Sequence, residues 1–164
     1  MKPTITVLAV AATLALAACG GSNDNSGDAT AATNSSDTVS MANIEGANVV
    51  VDAKGDALYS ADQEKDGMIR CTGGCTSVWL PLTTSGKPTA SSDVSGTVGV
   101  VKRPDGSRQV TLDGRPLYRF AEDGGPGKVT GDGLSDSFGG RQFTWHVEGS
   151  SAGSDTGGGG SYSY

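Results

Sequence analysis

The chain has 164 residues, of which 35% are hydrophobic, and its formal net charge is −6. Its 12 basic residues form no cluster, which argues against nucleic acid or an anionic lipid surface as a partner. Glycine- and serine-rich segments lie near both ends, so the remaining length suits one small domain rather than two.

The first residues have the pattern of an export signal. Lys2 precedes an apolar run from about Ile5 to Leu16, which is too short to remain as a transmembrane helix. The run ends in Leu-Ala-Ala-Cys at 16–19, and this resembles the lipobox of bacterial lipoproteins. The resemblance implies cleavage before Cys19, linkage of Cys19 to diacylglycerol and further acylation. The mature protein would then be held on the cell membrane by two or three acyl chains, facing outside the cytoplasm.

The domain is predicted to lie between two polar segments. Residues 1–18 are the predicted signal peptide, and 19–43 form a Gly-, Ser- and Asn-rich tether behind the lipidated cysteine. Residues 44–149 are the predicted domain, and 150–164 are a Gly/Ser tail that we expect to be disordered.

The domain is predicted to be all-β, a small antiparallel β domain. Apolar residues recur with period two, and turn signals recur between the strands. Asp113-Gly114 is the dipeptide preferred in two-residue hairpins, and Arg103-Pro104-Asp105-Gly106 marks a longer turn, so 97–120 is predicted to form a three-stranded meander. The predicted strands are 48–52, 57–61, 77–82, 97–102, 108–112, 116–120 and 142–148.

Two degenerate repeats are visible, at about 46–82 and about 97–149. Both contain G-x-x-L-Y, beginning at Gly55 and at Gly114, 59 residues apart. In each case an apolar strand precedes the motif, and an acidic loop and a tryptophan strand follow it. We therefore expect two halves that bury their aromatic faces against each other.

These residues resemble the bacterial secreted-repeat lipoproteins, which carry a Y-x-[FWY]-x-x-D motif. The second repeat matches the motif with Tyr118, Phe120 and Asp123. The first keeps Tyr59 but lacks the second aromatic residue and has Glu64 in place of the final aspartate. The first repeat also resembles the family's C-x-G-x-C and tryptophan segment at 71–82. The resemblance implies an architecture and an extracytoplasmic address, and the function of the family is not established.

The motif has a structural interpretation as well as a functional one. Tyr118 and Phe120 are two residues apart on a strand, so both rings face the same side. Asp123 follows the strand, where its carboxylate can accept a backbone N–H and hold a turn. The competing hypothesis is a ligand site built from the same groups.

Cys71 and Cys75 are the two cysteines that remain free if Cys19 carries lipid. An even pair in an exported chain is most simply a disulfide. A redox-active pair stays open, although the usual motif has two intervening residues rather than three. Zinc also stays open, although His146 is the one further soft ligand.

Two other groups are candidates for chemistry. Asp123, Asp132 and Asp136 offer oxygen ligands in a glycine-rich segment, so Ca²⁺ is a weak cofactor candidate, and no other cofactor is expected. His146 lies opposite in direction to Trp145 on a strand, so we expect His146 to be exposed if Trp145 is buried. No G-x-S-x-G motif accompanies it.

These observations favour a non-enzymatic lipoprotein of the cell envelope that binds or scaffolds a partner. The partner classes that suit an acidic surface with aromatic side chains are an envelope protein, a glycan or a cation. The first alternative is a redox, electron-transfer or metal-binding accessory, whose working part is the Cys71–Cys75 pair or a bound metal. A further alternative is an extracytoplasmic hydrolase that uses His146.

Overall fold

The structure is a computed structural model, and it describes residues 38–149 of the chain. Short strands dominate this part, with one helical turn, α1 Cys75–Val78, and 3₁₀ turns at Asp62–Glu64 and Ala121–Asp123. The strands are β1 Val39–Ile44, β2 Ala47–Asp52, β3 Tyr59–Ala61, β4 Trp79–Pro81, β5 Val98–Lys102, β6 Arg108–Leu112, β7 Arg115–Pro116, β8 Tyr118–Phe120, β9 Ser135–Phe138 and β10 Arg141–Val147. The all-β class is therefore confirmed. No helix of residues 38–149 is long and apolar enough to cross a membrane.

The strands form three antiparallel sheets. β1 and β2 make a hairpin, β5, β6 and β7 make a three-stranded meander, and the central sheet has the order β4-β8-β3-β10-β9. In the meander, Asp113 and Gly114 both have positive φ, 49° and 80°, as a two-residue I′ hairpin requires. The predicted hairpin at this dipeptide is confirmed.

The central sheet interlocks the two repeats. The first repeat supplies β2 to β4, with β1 directly before its predicted start, and the second supplies β5 to β10. β3 and β8 pair at the centre, where Tyr59 is the partner of Tyr118. β4 of the first repeat pairs with β8 of the second, and β10 of the second pairs with β3 of the first. Each repeat therefore completes the sheet of the other.

Backbone hydrogen bonds beyond the strands follow the same crossed pattern. At the end of the first repeat, Leu82 donates to the carbonyl of Leu117 (2.9 Å) and accepts from the amide of Val110 (2.8 Å). At the end of the second, Glu148 donates to the carbonyl of Leu58 (2.8 Å) and accepts from the amide of Val50 (2.7 Å). The C-terminal ends of the two repeats, at Leu82 and Glu148, are thus each hydrogen-bonded to the opposite repeat at equivalent positions.

Two apolar cores result from this arrangement. The larger one lies on one face of the central sheet and contains both tryptophans, the disulfide and the aromatic residues of the motif. The smaller one joins the hairpin, the meander and the two leucines of the L-Y segments, and its buried members are Val39, Val50, Leu58, Leu82, Val110, Leu112 and Leu117.

Several boundaries differ from the sequence-based ones. β1 begins at Val39, inside the segment predicted as a tether, and its Ser, Met and Asn residues hid the strand although Val39 and Ile44 are buried. β9 was also missed because Ser135–Phe138 lies at a sheet edge and is polar. The predicted strand 77–82 is wrong at its start, where α1 runs to Val78. The predicted strand 116–120 is split, because Leu117 separates β7 in the meander from β8 in the central sheet.

Candidate functional site

The family motif lies in the centre of the larger core. Tyr118 and Phe120 are both buried on β8, as their spacing predicts, and Asp123 follows in the 3₁₀ turn directly after that strand. Tyr59 is buried at the start of β3, and Glu64 ends the equivalent 3₁₀ turn after it. The two copies of the motif therefore have the same local structure, including the one with the glutamate.

Each tyrosine is bound to the acid of the other repeat. The hydroxyl of Tyr59 donates to Oδ2 of Asp123 at 2.8 Å, and the hydroxyl of Tyr118 donates to Oε2 of Glu64 at 2.6 Å. Burial is the largest cause that raises the pKa of both phenols, and the facing carboxylates raise it further. Both phenols therefore remain protonated donors in the folded protein.

The second oxygen of each carboxylate holds the loop that follows it. Oε1 of Glu64 accepts the backbone N–H of Arg70 and that of Cys71, the latter at 2.6 Å. Oδ1 of Asp123 accepts the N–H and the hydroxyl of Thr130, at 2.8 and 2.7 Å. Cys71 and Thr130 each lie seven residues after their acid. The prediction that Asp123 accepts a backbone N–H is thus confirmed, and Glu64 does the same.

Aromatic rings fill the space between the two motifs. Trp79 and Trp145 stack with centroids 4.0 Å apart and planes inclined by 10°. Tyr59 meets Trp79 edge to face at 5.4 Å, and Tyr118 meets Trp145 in the same way at 5.1 Å. Phe120 stacks on the outer side of Trp79 at 4.4 Å. Such pairs add to the free energy of burial, by about 0.5–1.5 kcal/mol each.

The two tryptophans differ in their polar contacts. Nε1 of Trp79 donates to Oδ2 of Asp136 at 2.8 Å. Nε1 of Trp145 is buried and has no hydrogen-bond partner among the described residues. Gly131 packs on Trp79, and a Cβ at this position would lie 2.8 Å from Cη2 of the indole. The chain therefore needs glycine where the loop crosses the aromatic stack.

Cys71 and Cys75 form a disulfide with an S–S distance of 1.95 Å and a Cα–Cα distance of 5.3 Å. Both residues are fully buried, and the bridge is therefore packed in the larger core. The carbonyl of Cys71 accepts from the Arg103 guanidinium at 2.8 Å, and the same guanidinium also donates to Gln109. Arg103 is itself buried, and no sequence pattern indicated this role.

The three carboxylates proposed as calcium ligands have different partners. Asp123 binds Tyr59 and Thr130, Asp136 binds Trp79, and Asp132 accepts the backbone N–H of Val147 at 3.0 Å. Within residues 38–149, no group of three or more His, Cys, Asp or Glu side chains is placed to hold a metal ion. The structure therefore does not bring these aspartates together as one ligand set.

His146 is exposed on β10, and its neighbour Trp145 is buried, as the alternation predicts. Its Nε2 lies 3.3 Å from Oδ2 of Asp62, and its Nδ1 lies 4.0 Å from Oδ1 of Asp132. The imidazole thus bridges acidic groups of both repeats. Cys19, the predicted lipidation site, lies outside the described residues.

Residues 99–147 match a family model that is described as a secreted repeat of unknown function. No curated protein and no solved structure matches the chain. The matched segment contains Tyr118, Phe120 and Asp123 in the positions described above. The resemblance inferred from the sequence is therefore confirmed for the second repeat, which matches the family model of secreted repeats of unknown function.

Proposed function

We propose that this protein is a lipid-anchored lipoprotein of the bacterial cell envelope, whose β domain binds or scaffolds a partner outside the cytoplasm without catalysis. The observation that carries the proposal is the use of the family motif. Tyr59, Tyr118, Glu64 and Asp123 bind one another inside the core, where their hydrogen bonds join the two repeats. The motif thus supports the fold, and we therefore expect the partner to bind at the surface of the domain.

The disulfide supports the extracytoplasmic address. Bridges of this kind persist in oxidising compartments and are rare in the cytosol. Because Cys71 and Cys75 are fully buried, they also fit a structural bridge better than an exchanging dithiol pair, which needs access for an attacking thiolate.

Two clefts of the described domain support a partner larger than a small molecule. One, beside Leu80 and Arg119, has a volume of about 140 Å³, and another, beside Met41 and Arg115, has about 190 Å³. Both are below the range of about 300–1,000 Å³ that is usual for small-molecule sites. An envelope protein or a glycan that lies across the surface is the partner that we favour.

The anchor is tested by labelling growing cells with an alkyne-bearing fatty acid. The wild-type chain should be labelled and should enter the detergent phase in a detergent–water partition. Cys19→Ser should be unlabelled and enter the aqueous phase, and the matched control Cys71→Ser/Cys75→Ser should keep its label. An unlabelled wild-type chain in the aqueous phase would contradict the anchor.

The surface is tested by photo-crosslinking in living cells from its exposed large apolar residues. Photoreactive amino acids placed at Met68, Leu80 and Leu134, which are 63%, 38% and 37% exposed, should give a discrete crosslinked product at one of them. Lys54, an exposed polar position, is the control. Equal crosslinking at all four positions would contradict a defined binding surface. His146→Ala should leave partner capture unchanged, because this function does not use the imidazole.

A further inference from the structure

Every tyrosine and tryptophan of the described domain belongs to one connected group of rings. The chain has two tryptophans and four tyrosines, and Tyr162 and Tyr164 lie in the tail outside the described residues. The remaining four run in the order Tyr59, Trp79, Trp145, Tyr118, with successive ring centroids 5.4, 4.0 and 5.1 Å apart. These are the side chains that lose a single electron most readily in a protein without a metal.

The two ends of this group carry proton acceptors. The Tyr59 hydroxyl is 2.8 Å from the Asp123 carboxylate, and the Tyr118 hydroxyl is 2.6 Å from that of Glu64. A phenol that loses an electron becomes a very strong acid, so a carboxylate already in hydrogen-bond contact receives its proton without any movement of the chain. The contacts that satisfy the buried phenols and hold the following loops therefore also place a proton acceptor at each end of the path.

We propose that Tyr59, Trp79, Trp145 and Tyr118 form a relay for one-electron oxidation, which takes an oxidising equivalent from a radical outside the cytoplasm and holds it on a tyrosine. This activity goes beyond binding or scaffolding. The class of reactant is a small one-electron oxidant. It approaches over Phe120, which is 7% exposed and lies 4.4 Å from Trp79.

The steps balance within the named groups. The oxidant takes one electron from Trp79 and is reduced, which leaves an indole radical cation. An electron then passes from Tyr59 to Trp79 while the O–H bond of Tyr59 breaks and its proton goes to Oδ2 of Asp123. The products are neutral Trp79, the Tyr59 phenoxyl radical and a protonated Asp123. Transfer through Trp145 gives the same products at Tyr118 and Glu64.

The environment of the tryptophans suits transfer along this path. The stack of Trp79 on Trp145 is nearly parallel, which lets one positive charge spread over two rings. Nε1 of Trp79 donates to Oδ2 of Asp136 at 2.8 Å, so a proton that the oxidised indole gives up stays on this carboxylate and returns when the electron arrives from tyrosine. Nε1 of Trp145 has no hydrogen-bond partner among the described residues, so its radical cation has no adjacent protein group to take the indole proton. The charge is then passed on to Trp79 or to Tyr118.

The experiment uses the mature full-length chain in a nonionic detergent, with the substitutions Tyr162→Phe and Tyr164→Phe. These substitutions change no described residue and leave Tyr59 and Tyr118 as the only tyrosines of the chain. The azide radical, generated by pulse radiolysis, oxidises the indoles. The relay predicts that the indolyl absorption decays as the phenoxyl absorption grows, at one rate that does not depend on protein concentration. Absence of the phenoxyl signal, or a rate proportional to protein concentration, would overturn the relay.

Two further variants in this background test the ends of the path. Tyr59→Phe/Tyr118→Phe should lose the phenoxyl signal and prolong the life of the indolyl radical. Glu64→Gln/Asp123→Asn, whose amides do not accept the proton, should slow the transfer and change its solvent deuterium isotope effect. An unchanged rate and isotope effect in a variant with a native circular dichroism spectrum would overturn the carboxylates as proton acceptors. If Glu64 and Asp123 had only a structural role, neither the transfer rate nor its solvent isotope effect would change in this variant.

Discussion

Tyr59 and Tyr118 lie opposite each other in β3 and β8, and each donates its hydroxyl to the carboxylate that follows the other in sequence. Neither repeat therefore satisfies its own tyrosine. The same exchange occurs in the backbone. The C-terminal ends of the two repeats, at Leu82 and Glu148, each donate a hydrogen bond to the L-Y segment of the opposite repeat. The domain is thus one interlocked unit in which the repeats depend on each other for their buried polar groups.

Gly131 is required by the aromatic stack. In Gly131→Ala, the new Cβ would lie 2.8 Å from Trp79, 3.1 Å from Tyr59 and 3.2 Å from Phe120, so these rings must shift. We expect the free energy of unfolding to fall by about 1–3 kcal/mol, measured by denaturant titration. Gly86→Ala, where no atom lies within 4 Å, is the matched control and should be within about 0.5 kcal/mol of wild type. Equal effects of the two would contradict the packing described.

The disulfide is expected to be a stable structural bridge. Cys71→Ala/Cys75→Ala should lower the free energy of unfolding by about 2 kcal/mol, because the bridge closes a short loop. In the native wild type, mild reductant followed by an alkylating reagent should leave the mass unchanged, since both residues are fully buried. Rapid alkylation of the folded protein would instead favour the redox alternative.

Alkaline pH should unfold the domain through its buried tyrosines. The pKa values of Tyr59 and Tyr118 are raised above the ordinary 10.0, so above that pH the unfolded chain loses phenolic protons that the folded chain retains. Their contribution to stability is complete below pH 10 and falls as the pH rises beyond it. In a Tyr162→Phe/Tyr164→Phe variant, phenolate absorbance and loss of circular dichroism should therefore rise together. Phenolate that forms before unfolding would contradict this burial.

The sequence alone predicted much of the fold because its signals are local. Alternation separates buried Trp145 from exposed His146, and the Asp113-Gly114 turn has the positive φ values that its dipeptide favours. A 59-residue offset aligns Tyr59 with Tyr118, and the same offset aligns Glu64 with Asp123. Of the two departures of the first motif from the family pattern, Glu64 keeps the carboxylate of Asp123, whereas Ala61 replaces the second aromatic residue, Phe120.

Local sequence patterns could not predict that each tyrosine binds the acid of the other repeat. Alignment of two repeats does not tell whether a tyrosine binds the acid of its own repeat or of the other, since that depends on pairing between distant strands. The role of Arg103 was hidden for a similar reason, because its acceptor on Cys71 is 32 residues away in the chain. Ser135–Phe138 offers one apolar residue, Phe138, which packs against Phe143, so its pattern is too weak to predict β9 and its pairing with β10.

Arg103 is expected to contribute to stability through its buried hydrogen bonds. Arg103→Met leaves the acceptors on Cys71 and Gln109 without their donor, so we expect a loss of about 2–4 kcal/mol in the free energy of unfolding. Arg108→Met is the control, because Arg108 is exposed and donates to the carbonyl of Ser85 at 3.0 Å. It should change the same quantity by no more than about 0.5 kcal/mol. Similar losses in both variants would contradict the buried role.

The most direct test of the interlocked fold is a set of double-mutant cycles on the four motif residues, with stability measured by denaturant unfolding. Tyr59→Phe with Asp123→Asn, and Tyr118→Phe with Glu64→Gln, should each show a coupling free energy of about 1–3 kcal/mol. The pairs within one repeat, Tyr59 with Glu64 and Tyr118 with Asp123, should be additive within about 0.5 kcal/mol. Coupling within each repeat, with additivity between the repeats, would contradict the crossed arrangement.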